Sequence, residues 1–201
     1  MMRPSSLHKI IGVVLVVPLL AWSLTGIVFL TKPGYKEAYE QLAVKMYPLE
    51  KTFDSNLMKN WEEAKYFRTV LGYHLLLTGG GTVRHIDPIT DRPRELPSES
   101  DVERLVEDAI AVSSERYGDI VEISGSRVTT STGVEITLHW SNMSLAQSGR
   151  DTRLIDNLYK IHYLQWSGRP LPDTILGVAG IVMLLLSTVL GIASLVWSRK
   201  K

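Results

Sequence analysis

The sequence predicts an α+β protein in which two transmembrane helices flank an extracytoplasmic domain, an antiparallel sheet with one main helix. Three observations carry this prediction. Two uncharged apolar runs, Ile10–Thr31 and Thr174–Ser198, are twenty-two and twenty-five residues long, and a bilayer core about 30 Å thick takes roughly 20 apolar residues as helix. All twenty-one acidic residues lie between those runs. Within that interval the hydrophobic period reads strand, strand, helix, strand, strand, which a helix packed on one face of a small antiparallel sheet satisfies economically.

Composition excludes several classes of function. At 45% hydrophobic and 21% charged over 201 residues, the chain is neither disordered nor collagen-like. A net charge of +1 gives no reason to expect a nucleic-acid partner. The absence of cysteine rules out disulfides, thiolate zinc sites, a thiol nucleophile and covalent c-type haem attachment.

The elements follow in order. Residues 1–9 read as a cytoplasmic tail and 10–31 as the first transmembrane helix. Ala21-Trp22-Ser23 faintly resembles a signal-peptide cleavage site, but the apolar stretch continues through Leu30. That exceeds the 7–15 residues of a signal h-region, so the run reads as an uncleaved anchor. Arg3 and Lys9 precede it, and Arg199, Lys200 and Lys201 follow the second run, with no acidic residue beside any of them. The positive-inside rule therefore puts both termini in the cytoplasm and the centre outside it, although Lys32 and Lys36 oppose the asymmetry. Neither run contains an ionisable residue, so neither carries a proton relay or ion path. Small residues (Ser23, Gly26, Gly177, Gly180, Ser187, Gly191) permit close helix approach.

Residues 32–65 read as a helical and irregular linker, with an amphipathic helix over 33–47 between the Pro33-Gly34 break and Pro48. The α+β domain is expected over 66–149. Tyr66–Leu77 is a strand, Gly79-Gly80-Gly81 a turn and Thr82–Ile86 a second strand. A phosphate loop would need Lys-Ser/Thr after the glycines, and Thr82-Val83-Arg84 stands there instead. Asp87 to Pro93 is turn chemistry. Ser98 or Ser100 caps a helix, with Glu103 at capping-box spacing from Ser100. Val102, Leu105, Val106, Ala109, Ile110 and Val112 recur near the 3.6-residue period, and the helix ends near Gly118. Its acidic residues Glu103, Glu107, Asp108 and Glu115 form a solvated face. Asp119–Thr130 and Val134–Trp140 are two further strands. Over 150–173 an interfacial helix, Arg150 to Trp166, carries Tyr159, Tyr163 and Trp166. A Pro-rich break follows, with Asp173 as N-cap of the second transmembrane helix, 174–198. Residues 199–201 are a basic cytoplasmic tail.

Three segments together carry a resemblance: LHKIIGVVLVVPLLAWSLTGIVFL, VRHIDPITDRP, and LYKIHYLQWSG with ILGVAGIVMLLLSTVLGIASLVW after it. The chain resembles the PepSY-associated transmembrane proteins of bacteria. The resemblance implies a PepSY-like α+β module outside the cytoplasm, a unit also found in propeptides of thermolysin-like peptidases, where it is linked with inhibition. It also implies kinship with larger proteins of four or more membrane helices, associated with siderophore-iron reduction and with haem b held by membrane histidines. This chain has two such helices, and Asp91 stands where the family's Asp-x-x-Thr-Gly turn has glycine.

His8 and His162 are the histidines in the matching segments and hence the candidate haem b ligands. One lies before each transmembrane helix, so a helix of twenty-odd residues separates them by roughly 30 Å. Axial ligands of one haem must lie about 4 Å apart, taking roughly 2 Å per metal–imidazole bond. The two residues of one chain therefore cannot share a haem; either a homodimer or a partner protein supplies the second ligand, or neither histidine binds haem and each is an interfacial polar residue. His74, His85 and His139 are expected on the sheet surface. No serine elbow or nucleotide fingerprint is present, so neither a hydrolase nor a self-sufficient reductase is expected. The expected function is an accessory or binding component of a membrane or periplasmic system linked to iron or redox metabolism, in a bacterial inner membrane. Its expected partners are the lipid bilayer and either a second copy or a larger membrane-protein complex. The alternatives are a haem b electron-transfer subunit of a ferric-siderophore reductase and a peptidase-regulating module.

Overall fold

The computed structural model describes residues 4–51 and 60–198. The element order is α1 (Pro4–Thr31), α2 (Tyr35–Ala38), β1 (Glu63–Thr69), β2 (Gly72–Gly79), β3 (Thr82–Asp87), β4 (Arg92–Pro93), α3 (Glu99–Ile110), α4 (Ser114–Tyr117), β5 (Ile120–Ser124), β6 (Arg127–Thr130), β7 (Glu135–His139), β8 (Ser144–Ser148), α5 (Arg150–His162) and α6 (Pro170–Ser198). The architecture is α+β, with long apolar helices at both ends of two antiparallel sheets. The chain divides into two compact units, one made of the residues up to Tyr35 with those from Arg153 onward, the other of Lys36–Thr152.

In the first unit α1 packs against α6. Their stretches Ser6–Thr31 and Pro170–Trp197 are long and apolar enough to cross a membrane, with mean hydropathies of 2.5 and 2.6. They leave apolar side chains uncovered, Val13 at 75% and Leu30 at 84% exposure, and such continuous apolar surface on a soluble monomer would be abnormal. Two of the small residues mark where the helices meet. A Cβ on Gly180 would meet Leu164 and Trp22, and one on Gly191 would meet the His8 ring, whereas Gly26 faces open space. The boundaries differ from expectation. α1 starts at Pro4, so His8 lies inside the helix. α5 stops at His162, short of Trp166. α6 starts at Pro170, whose fixed φ suits a first helical position. Asp173 therefore sits in its first turn, where its Oδ1 accepts from the Ser167 N–H at 2.9 Å and hydroxyl at 2.7 Å.

The second unit holds two four-stranded sheets in simple sequential order, β1-β2-β3-β4 and β5-β6-β7-β8. The expected single sheet is thus doubled, because two stretches read as one strand each are hairpins. Tyr66–Leu77 turns at Val70-Leu71 into β1 and β2, and Asp119–Thr130 turns at Gly125 into β5 and β6. β4 and β8 were not foreseen; β4 is only two residues long, and β8 lacks a clear alternating pattern. Strand β2 buries His74, Leu75, Leu76 and Leu77 in succession, as a strand covered on both faces does. The amphipathic helix expected over 33–47 is confined to α2, a single turn. After it the chain extends and bridges to the edges of both sheets, Ala43 to Ser144 and Tyr47 to Arg68. Capping those unpaired edges is worth more than continuing a helix with few residues to bury.

Helix α3 supplies the centre of the core. Val102, Leu105, Val106 and Ala109 meet Phe67 and Leu76 of the first sheet and Val128, Ile136 and Leu138 of the second. The alternation of Val134, Ile136 and Leu138 places all three inside. The α3 cap is Ser98 with Asp101, each side chain bonding the other's backbone N–H at 3.2 Å. Ser100 with Glu103 is not the pair used. α3 ends at Ile110, a short 3₁₀ turn and α4 follow, and Gly118 at φ +63° closes α4.

Candidate functional site

The five histidines fall into three settings. His8 on α1 lies against α6. Its Nδ1 is 2.9 Å from the carbonyl oxygen of Ser187. A carbonyl only accepts, so Nδ1 carries the proton and Nε2 keeps a lone pair. His162, the last residue of α5, has Nδ1 2.8 Å from the Thr25 hydroxyl, whose own proton goes to the Ala21 carbonyl at 2.6 Å. The same bookkeeping protonates Nδ1 and leaves Nε2 free to accept. The His162 backbone carbonyl takes the Trp22 indole N–H at 2.6 Å. Phe29 and Tyr163 pack edge-on to the ring, and Tyr159 stacks on Phe29 at 4.4 Å.

His8 and the His162 partner Thr25 are seventeen residues apart on α1, about 25 Å along the axis. The two candidate ligands are therefore not brought together, and a single chain does not offer a bis-histidine haem site. Among the described residues no group of three or more His, Cys, Asp or Glu side chains is placed to hold a metal ion.

His74 and His85 overturn the sheet-surface expectation; His139 alone of the three is exposed. His74 is fully buried and His85 is 8% exposed. The sheet register explains the meeting. β2 and β3 pair Leu76 with His85, so His74, two residues along on the same face, sits diagonally across from it. The polar chain that results has one self-consistent set of protons. His85 Nδ1–H donates to the Trp140 carbonyl at 3.0 Å, and His85 Nε2 accepts from His74 Nδ1–H at 2.9 Å. His74 Nε2 accepts the Thr69 hydroxyl at 2.8 Å, and the Thr69 oxygen accepts the Leu71 N–H at 3.1 Å. Both rings are neutral in this arrangement. Burial, then the Arg94 charge, hold His74 down to about 3 and His85 down to about 4. The chain crosses β1, β2 and β3 and ends on the residue after β7, so it ties the first sheet to the second. Paired apolar neighbours signalled burial here, and counting the hairpin register from the Gly80-Gly81 turn would have found it.

A second polar cluster joins the first and last segments of the same unit. Arg116 donates to Asp151 Oδ2 at 2.8 Å and Gln147 Oε1 at 2.7 Å. The Tyr117 hydroxyl donates to Glu40 at 3.1 Å, and the Thr152 hydroxyl donates to the Ala38 carbonyl at 3.0 Å. Burial pushes the Asp151 carboxyl up, but the bonds from Arg116 and from the Thr152 N–H outweigh it and hold the group below its ordinary value. The Thr69 hydroxyl lies beside the His74 imidazole, but both side chains are buried, Thr69 at 2% and His74 at 0% exposure. Each cluster is a structural network, and in the second Arg116 Nε lacks a hydrogen bond and lies 3.8 Å from Glu40 Oε2.

No family model, curated protein or solved structure matches this chain.

Proposed function

We propose that this chain is a membrane-anchored accessory component. Its two apolar helices span a bacterial inner membrane with both chain ends in the cytoplasm. Between them a PepSY-like domain lies on the outer side and binds a partner in a membrane or periplasmic system linked to iron or redox metabolism. One observation carries the reading: the two helices bracket the α+β unit and leave most of their apolar side chains uncovered, with 11% and 6% of their most apolar windows buried. The iron and redox link rests on the sequence resemblance. Purification from native membranes in mild detergent tests the proposal. The expected result is a complex of fixed stoichiometry with a larger membrane protein; a chain that elutes alone and turns over a substrate unaided overturns it.

A second reading, a haem b electron-transfer subunit, is favoured by the free Nε2 lone pairs of His8 and His162, since neutral imidazole is a haem ligand. Haem would supply the one-electron chemistry; either His8 or His162 would hold it through Nε2, together with a residue of another chain. Reduced-minus-oxidised spectra of protein made with ample haem and co-purified with its partners test this reading. b-type bands lost in H8A or H162A sustain it, and a colourless wild type ends it.

A further inference from the structure

A cleft of about 590 Å³ opens in the first unit where α5 gives way to α6. Its polar end is formed by Lys160, Tyr163 and Gln165, and its apolar end by Gly177, Val178 and Ile181, about two to three turns into α6. On the membrane reading, that change from polar to apolar lining would run from the headgroups toward the acyl chains. Two charged side chains line it, Lys160 and Asp173. The Asp173 carboxylate is engaged by the Ser167 N–H and hydroxyl. Lys160 is exposed and has no ion-pair partner among the described residues, and neither has Arg169 nearby. The Ser167 donors are neutral and leave the Asp173 charge in place, so Lys160 and Arg169, which stands between the lining residues Gly168 and Pro170, against Asp173 leave this end with a net charge of +1. Gly177 contributes no side chain, which leaves a channel along α6 beside Val178 and Ile181. Its Cβ would reach only ordinary contact, 3.6 Å from the Tyr163 carbonyl.

We infer that this cleft holds one anionic phospholipid, phosphatidylglycerol, with its phosphate at Lys160 and an acyl chain along Gly177, Val178 and Ile181. The Tyr163 hydroxyl and Gln165 amide are suited to the glycerol oxygens, since both donate and accept. The volume lies within the range of small-molecule sites and takes the headgroup with the first methylenes of the chain. The inference rests on the membrane reading above.

The test uses the full chain in dodecyl maltoside. It is offered equal amounts of phosphatidylglycerol and phosphatidylcholine with identical acyl chains, and bound lipid is read by native mass spectrometry. The wild type is expected to favour phosphatidylglycerol about fivefold, the weight of one interfacial cation. K160Q brings the two lipids to parity, and G177L, which fills the channel, lowers retention of both. Circular dichroism confirms that each variant keeps its helices. Parity in the wild type, or an undiminished preference in K160Q, overturns the inference. Carbonate extraction separates this failure from that of the parent reading: a chain that resists carbonate but shows parity loses the lipid site alone, whereas a chain released by carbonate loses both.

Discussion

His74 and His85 show how one polar pair sets an acid limit. Each is neutral when folded and ionises near 6.5 in an unfolded chain, while burial holds the folded values to about 3 and about 4. Between those values and 6.5 the unfolded state binds more protons, so stability rises with pH through that window and is complete above it. Falling pH removes stability from about 6.5 downward, by up to about 1.4 kcal/mol per pH unit for each ring. Urea unfolding from pH 7 to 4 is expected to show this slope. His74→Leu is expected to halve the slope. It also leaves His85 Nε2 and the Thr69 hydroxyl unpaired inside the core, at a cost of about 1–3 kcal/mol at pH 7. An unchanged slope in that variant would mean the acid limit comes from other groups.

Helix α3 and the α1–α6 pair each rest on a small number of positions. Ser98 and Asp101 satisfy donors that the start of α3 would otherwise leave bare. Ser98→Ala is expected to cost about 1 kcal/mol. Ser100→Ala is expected to stay within about 0.5 kcal/mol, and thermal melts of the two variants distinguish the real cap from the one the spacing suggested. Between α1 and α6 the contact is made at glycines. Gly180→Leu drives a side chain into Trp22 and Leu164, a Cβ already lying 3.0 Å from Leu164 Cδ1, and overpacking of this kind costs about 1–3 kcal/mol. Gly26→Leu, facing open space, is expected to be silent. Trp22 emission and melting in detergent read both.

For the whole chain, both ends of the α+β unit are fastened within that unit. Arg116, whose side chain is 11% exposed, bonds the last segment, Tyr117 beside it bonds the first, and Thr152 bonds Ala38 directly. A fragment of residues 36–152 is therefore expected to fold in water without detergent. Arg116→Ala is expected to cost it about 1 kcal/mol, because the Asp151 carboxylate it leaves is 36% exposed and regains water. Denaturant midpoints of the fragment check both statements. For the intact protein the topology is the open quantity. Tags at the two ends are expected to resist protease together in sealed, right-side-out vesicles, while the 36–152 unit is cut. Tags on opposite faces would remove the reading of two spans.

Much of this was legible in the residues because it depends on local pattern. Uncharged length alone marks α1 and α6, since lipid and water sort side chains by polarity whatever the tertiary context. The 3.6-residue period of Val102, Leu105, Val106, Ala109 and Ile110 marks α3, and the alternation around Ile136 marks β7. The hairpin turns inside Tyr66–Leu77 and Asp119–Thr130 were missed, because β-type composition continues through both and a turn of two residues leaves little trace. The sequence by itself determined which segments are long and apolar enough to cross a membrane and which residues enter the core, since burial preference is written in each side chain. Only the tertiary structure decided which polar groups meet. Trp22 with His162 and Arg116 with Asp151 are partners 140 and 35 residues apart along the chain, brought together by packing that no single residue encodes.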